Sequence, residues 1–454
     1  MRIRICGMVL GLLLLTGAPA AGGARDAATI RTIADGFDYL SNVAWPGGGD
    51  DTLFVLEQHR GMVWALDEGQ PTRRTYLDIG DRLIENPNSE EGLLGLAFPI
   101  GYPAVPQVYV SYINAAGELQ VSRFDAVEGG RRADRSSETP LLRFERHARM
   151  HHCGHIVVNP RDGDLYLCLG DTEDNRRRHP GAPDAIEHEG AILRLALPAP
   201  EASPVPTRPA QKVSSWQPIE ASMAAVPRTF AGGLAVEAHG LRNPWHFAID
   251  PESGTMFLPD VGRDHWEEIN LQPGHAPPRH HGWPFAEGNE CLQACGEASF
   301  SWPVHVYRHD GLRCAIIGGE VYQGAAAPAW RGVFVFGDHC SGEVWALRVD
   351  HGSSRIRRLA TTDMMITAIG SGPGGEIVIA GGPAGTVRRL SFPDGDPDAG
   401  WTETAPLAGE AALVAQRQGF GRLYENQQAI LNSRRWRWAS EAAGWYHQVR
   451  RFFH

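Results

Sequence analysis

A run of apolar residues alternating with polar ones recurs six times between Thr52 and Leu390, each time as a pair of short phrases. The pairs are TLFVLE with GMVWAL, QVYVSY with ELQVSRF, DLYLCLG with GAILRLAL, TMFLPDVG with WEEINLQ, GVFVFGD with GEVWAL, and EIVIAGG with GTVRRL. Strict alternation predicts half-buried strands, and the Gly, Pro, Asn and Asp between the phrases predict turns. Six copies of one sheet unit predict an all-β chain folded as a six-bladed β-propeller over residues 27–393, one blade per copy. A β-sandwich would not require six similar phrases. Residues 197–225 are rich in Pro, Ala and Ser and hold Lys212; they read as a surface insertion, because the blade pattern resumes afterwards. Residues 394–454 contain helix formers and end in basic and aromatic residues, which predicts a short α-helical C-terminal extension.

The stretch from Gly240 to Pro284 departs most from simple alternation. Phe247, Ile249, Met256 and Leu258 are explained by two strands, but Arg242, Asn243, Asp260, Glu267 and Glu268 gather at the strand ends. Strand-end loops are where a rigid scaffold carries function, and one rim of a propeller's channel is the expected place for a site.

Composition narrows the setting. Arg2 and Arg4 precede the apolar run Met8 to Leu15, and Ala18-Pro19-Ala20 offers a small-residue cleavage site, so residues 1–20 read as a secretory signal. No later segment reads as transmembrane, and a periplasmic or secreted protein is expected. Without the signal the chain carries 40 basic and 53 acidic residues, a charge of −13, which argues against nucleic acid as a partner. Six cysteines then remain, and in an exported chain an even number predicts disulfides. Fifteen pairings are open; the local set is Cys153 with Cys168, Cys291 with Cys295, and Cys314 with Cys340. The chain lacks G-x-S-x-G and a phosphate-binding glycine loop before a helix, which disfavours hydrolase and nucleotide-dependent chemistry. His147, His151, His152 and His155 form a histidine-rich segment whose residue type suits a transition metal, but exposed loop histidines are the simpler reading.

SEEGLLGLAF, MHHCGHIVVNPRDGDLYLCLGD, GLRNPWHFAID, the DVG and WEEIN phrases, HHGWP and GGEVYQG occur in one order. That order resembles the glucose/sorbosone dehydrogenase family, which includes quinoprotein glucose dehydrogenase, aldose sugar dehydrogenases and the propeller of hedgehog-interacting protein. The resemblance spans about residues 33 to 391 and implies a six-bladed propeller. It also implies oxidation of the C1 hydroxyl of an aldose by hydride transfer to pyrroloquinoline quinone held beside Ca²⁺, with electrons passed to an acceptor. A histidine base, a cation facing the developing oxyanion and a metal suit that chemistry. Carried over by position, His151 is the base, with Arg242 beside it. Glu91, Arg242 and Asn243 face the cofactor, while the carbonyls of Gly262 and Arg263 bind calcium and the carboxylate of Glu268 is associated with a second, structural calcium.

This chain also departs from the family pattern. Glu91 stands where a glutamine is usual, His281 where a tyrosine is usual, and Cys340, Met365 and Thr367 where cations bind the cofactor's carboxylates. Three missing charge-assisted hydrogen bonds would cost about 1.5 to 3 kcal/mol each. A second reading follows, in which the propeller binds a carbohydrate or a protein without catalysis.

Overall fold

The computed structural model describes residues 28–49, 51–67, 72–145, 149–171, 189–198, 211–213, 233–274, 276–292, 300–350, 353–393 and 397–403. The signal segment, His147 and most of the insertion lie outside the described residues.

Six sheets, each of four or five strands, form the blades, antiparallel except where Gln211–Val213 and Arg279–His280 add in parallel at an outer edge. Their innermost strands are Leu40–Ala44, Leu93–Ala97, Ile156–Val158, Ala248–Ile249, Ile316–Val321 and Ile366–Ser371. The six phrase pairs form the second and third strands of the successive blades; Leu165–Leu169, for example, pairs with Ala191–Leu195. The ring closes on itself: Thr29–Ala34 adds to Thr386–Ser391, so the last blade takes its outer strand from the start of the fold. That pairing covers an edge that would otherwise expose unpaired backbone groups.

Two expectations need correction. The second strands are not half-buried. Leu165–Leu169, Phe334–Asp338 and Ile377–Gly381 are buried at every residue, because each sheet lies between two neighbours and both faces meet apolar partners. Phe54, Leu56 and Tyr76 of the first blade, for instance, pack with Leu96, Val108 and Val110 of the second. The C-terminal extension, where described, is not helical: residues 397–400 form a turn and Thr402–Glu403 adds a strand to Ser353–Thr361. Trp401 anchors it, its indole donating to the Pro397 carbonyl and lying near Trp330 and Arg348. Residues 404–454 lie outside the described residues. Within the insertion, Gln211–Val213 pairs in parallel with the outer strand of the second blade.

The central channel is bridged by side chains. Asn42 Nδ2 donates to the Leu94 carbonyl at 3.2 Å and lies 3.1 Å from His155 Nδ1, while His155 also bonds the Phe247 backbone. His246 stacks on His155 with centroids 4.3 Å apart and bonds the Ser41 backbone, and Trp245 Nε1 donates to the Thr367 carbonyl at 3.2 Å. Five of the six blades are tied together at this level. These side chains form the floor of a cup at the mouth.

Burial lowers His155 from 6.5 to about 4. Between those values the unfolded chain binds more protons, so this contribution to stability is present above about pH 6.5 and is lost as pH falls toward 4. In His155→Gln the position no longer titrates. Wild type is expected to melt above the variant at pH 7.5, with the gap narrowing by pH 5 in calorimetric scans. An unchanged gap would exclude this linkage.

Candidate functional site

The mouth is built by two kinds of segment: the connections that lead into each inner strand, and the loops after each second strand. In three consecutive blades an aspartate stands at or just past the end of the second strand: Asp260 and Asp338 are the last strand residues, and Asp171 follows Leu165–Leu169 by two residues. Buried backbone N–H groups on the incoming connections need acceptors, and in two blades these aspartates supply them. Asp260 accepts from the N–H of Arg242 at 2.7 Å and of Asn243 at 2.6 Å. Asp338 accepts from the N–H of Cys314 at 3.1 Å and of Ala315 at 3.3 Å.

The Asp171 blade differs. There the N–H groups of His151 and His152 are taken by Glu90 Oε2. Asp171 is left to the imidazole: His151 Nδ1 lies 2.5 Å from Asp171 Oδ1. The other carboxylate oxygen accepts from Trp283 Nε1 at 2.7 Å. His151 and Asp171 are both nearly inaccessible, at 5% and 2% exposure. Local backbone explains how the ring reaches this place. His151 and Cys153 hold φ of 60° and 49°, a region costly for side chains other than glycine, and the Cys153–Cys168 disulfide ties the loop to the second strand. Gly170 permits the close approach; a Cβ there would lie 2.3 Å from the His151 carbonyl oxygen.

Arg242 faces the same cup. Its guanidinium donates to the carbonyls of Val261 at 2.9 Å and Gly262 at 3.0 Å and lies 5.7 Å from the Trp283 ring centre. Asn243 is buried beside it, with an amide oxygen that has no hydrogen-bond partner. Arg263 lies 5.9 Å from the Trp283 ring centre, and Glu287 Oε1 collects the N–H groups of residues 263 to 266 beneath the loop.

Other sequence-predicted residues are engaged elsewhere. Glu91 forms an ion pair with Arg149 and accepts the Asn88 N–H at 2.9 Å; burial opposes its charge, but these bonds outweigh it and hold Glu91 below the usual carboxylate range. Glu268 accepts from Asn270 Nδ2 at 2.7 Å and from the Gly288 N–H at 2.6 Å, under the loop that carries Gly262. Burial, with the nearby charge of Asp260, pushes Glu268 well above the carboxylate range, and burial lifts Asp260 to about 7. Glu267 is a strut between blades: it accepts the Ile316 N–H at 2.8 Å and pairs with His309. His281 is 2% exposed, and burial lowers it to about 3. His151 and His155 diverge to Asp171 and Asn42, and no cluster of three or more His, Cys, Asp or Glu suited to a metal occurs among the described residues.

The rim on the fifth and sixth blades carries no compensating cation at the three departing positions. Cys340 is bonded to Cys314, Met365 is 44% exposed, and buried Thr367 lends its hydroxyl to the Ala380 carbonyl. Arg313 on that side is already bound to Glu343 and Asp310. Cys291 is also oxidised, while its expected partner Cys295 lies outside the described residues. A cavity of about 400 Å³ lined by Asn159, Arg161, Tyr166 and Glu237 sits at the turns of the third and fourth blades, at the opposite ends of the strands from His151.

Sequence reasoning found His151, Arg242 and Asn243, which the fold brings to one cup. It missed Glu90, Asp171 and Trp283. A signal for Asp171 existed in the strand-end aspartates of DLYLCLGD, TMFLPD and GVFVFGD. Nothing in the order of residues marks which of the three turns to a ring.

A six-bladed propeller with a buried His–Asp pair and an arginine at its mouth defines the class. The chain belongs to the glucose/sorbosone dehydrogenase family, whose family model matches residues 48–388. It is 23% identical over 310 residues to aldose sugar dehydrogenase YliI of Escherichia coli K12, covering 64% of this chain and 74% of that protein. It is 29% identical over 216 residues to the HIPL2 protein of Arabidopsis thaliana, covering 43% of this chain but spanning only 29% of that longer protein. The PQQ-bound aldose sugar dehydrogenase of Streptomyces coelicolor shares the fold with a TM-score of 0.59 at 19% identity, covering 80% of this chain and 98% of that one. The apo soluble aldose sugar dehydrogenase of Escherichia coli gives 0.59 at 16% identity, covering 80% and 99%.

Proposed function

We propose that the chain is an exported oxidoreductase acting on the C1 hydroxyl of an aldose, with His151 as general base and pyrroloquinoline quinone with Ca²⁺ as its cofactors. The observation that carries this reading is the 2.5 Å contact between His151 Nδ1 and Asp171. It belongs with family membership and with a PQQ-bound relative of the same fold. With its Nδ1–H given to a carboxylate, the imidazole keeps Nε2 as the acceptor for a substrate hydroxyl proton. Asp171 fixes that tautomer and stabilises the imidazolium as it forms. The Arg242 guanidinium offers fixed positive charge to the oxygen that becomes anionic, inside a cup from which water is largely excluded.

The residues fit the reacting side of the quinone. The Arg242 guanidinium supplies N–H donors of the kind a quinone oxygen accepts, and the buried, unpartnered amide oxygen of Asn243 beside it is an acceptor for an N–H or O–H of the ligand. When bound, the quinone supplies the hydride acceptor that no side chain here can provide. The Gly262 carbonyl already holds a cation, the Arg242 guanidinium, and with the Arg263 carbonyl it offers the hard oxygen donors that Ca²⁺ prefers. Glu91, tied to Arg149, would touch the cofactor only through that ion pair. Glu268 would support the calcium loop from below. A small-molecule sugar and a separate electron acceptor are the expected partners, and no helix among the described residues is long and apolar enough to cross a membrane.

One observation favours the second reading, a propeller that binds a carbohydrate or protein without turnover: the neutral rim at Cys340, Met365 and Thr367. Incubation of purified protein with Ca²⁺ and pyrroloquinoline quinone, followed by dye reduction with aldoses, separates the two. Uptake of a quinone absorption band and turnover are expected; absence of uptake at micromolar cofactor would leave only the binding reading. His151→Ala should keep the melting temperature and lower kcat by about 10²- to 10⁴-fold.

The same rim makes a gain-of-function prediction. Met365→Arg restores one cation at an exposed position and should tighten cofactor binding about tenfold or more, by spectroscopic titration. An unchanged affinity would mean that the rim does not meet the cofactor's carboxylates.

A further inference from the structure

At the mouth, Trp283 touches Asp171, Arg242 and Arg263. Trp283 is 9% exposed and is fixed by its own backbone, whose N–H donates to the Gly240 carbonyl at 3.0 Å. Its indole Nε1 donates to Asp171 Oδ2 at 2.7 Å, and Arg242 and Arg263 lie 5.7 and 5.9 Å from its ring centre. The Asp171 backbone N–H donates to the Arg242 carbonyl at 2.6 Å, which closes a circuit from His151 through Asp171 to Arg242 and Trp283.

We infer that Trp283 is a positioning residue: by holding Asp171 Oδ2 it keeps Oδ1 on the His151 ring and prevents Asp171 from turning to cap backbone, as Asp260 and Asp338 do in the next two blades. The comparison within the molecule is what carries this. Three aspartates stand at or just past the ends of equivalent strands; Asp260 spends both oxygens on the incoming N–H groups, and Asp338 spends Oδ2 on them and Oδ1 on the N–H groups of Cys340 and Ser341 in its own loop. Glu90 removes that demand in the Asp171 blade, but a carboxylate with one unengaged oxygen could still rotate. The indole N–H engages it. An arginine there would add charge and weaken the basicity passed to His151, whereas a neutral donor fixes orientation without doing so. The two guanidinium groups near the ring then hold the indole itself in plane.

This inference rests on the reading of His151 as the base. The charged and titratable groups facing the pair are Glu90 and Arg242 from the adjoining connections and Asp260 from the next blade. In Trp283→Phe an aromatic ring remains, but the five-membered half of the indole and its N–H donor are lost. With the indole donor lost the Asp171 carboxylate becomes a stronger acceptor for the His151 ring, so the acid limb of the kcat/KM profile should move to higher pH, while kcat falls about tenfold and KM changes by less than about twofold. A readout independent of turnover is the ring proton between His151 and Asp171, observed by NMR in protein labelled with ¹⁵N-histidine and assigned by its loss in His151→Ala. It should shift or broaden in Trp283→Phe. If the phenylalanine variant does not fold, benzothienylalanine placed at 283 by suppression keeps the bicyclic shape and deletes the same N–H.

An unchanged proton signal together with an unchanged pH profile would overturn the inference. Full turnover in His151→Ala would instead overturn the assignment of the base; the proton signal would still decide whether Trp283 positions Asp171.

Discussion

The mouth of this propeller is governed by a simple constraint: a connection that crosses buried space must find acceptors for its N–H groups. The second strand of a blade ends beside the connection that leads into that blade's inner strand, so a strand-end aspartate is the nearest available acceptor. Asp260 and Asp338 meet the demand and become structural. Asp171 is released from it because Glu90, from the connection leading into the second blade, reaches the N–H groups of His151 and His152. The catalytic arrangement proposed here is therefore a structural cap whose duty has been transferred to another residue.

That transfer also sets what could be read from the chain. The six blades were legible because each pair of phrases folds as a local antiparallel hairpin, and local pairing leaves its period in the residues. The degree of burial was not, since alternation reports one covered face and cannot report the neighbouring blade that covers the second. His151 and Arg242 were legible through ordered motifs. Asp171 was named in such a motif without a role, and Trp283 lies 112 residues away from the aspartate it holds. Contacts of that kind arise only when the ring closes. Glu90 was overlooked for its neighbour Glu91, and two adjacent carboxylates in a loop carry no sign of which one points to the histidine connection.

Electrostatics divide the mouth into two halves. On the fourth blade, Arg242 and Arg263 face several buried carboxylates, and burial raises Asp260 and Glu268 because charge there has too little compensation. On the fifth and sixth blades, a disulfide, a methionine and a threonine line the rim without charge. Among the described residues, Arg242 and Arg263 place positive charge on the fourth-blade side, and the positions Cys340, Met365 and Thr367 opposite carry none.

Two histidines four residues apart show how partner chemistry, more than burial, assigns a role. His155 lines the bridged channel with an amide beside its Nδ1 and a ring stacked on it. Neither neighbour stabilises a positive ring, and desolvation lowers its proton affinity until it serves as a neutral staple. His151 has a carboxylate at the same ring nitrogen. A carboxylate stabilises the proton that an imidazole gains, whereas an amide does not. In the proposed arrangement the staple lies in the floor of the cup and the base above it, and the aspartate spared by Glu90 is what distinguishes the surroundings of the two histidines.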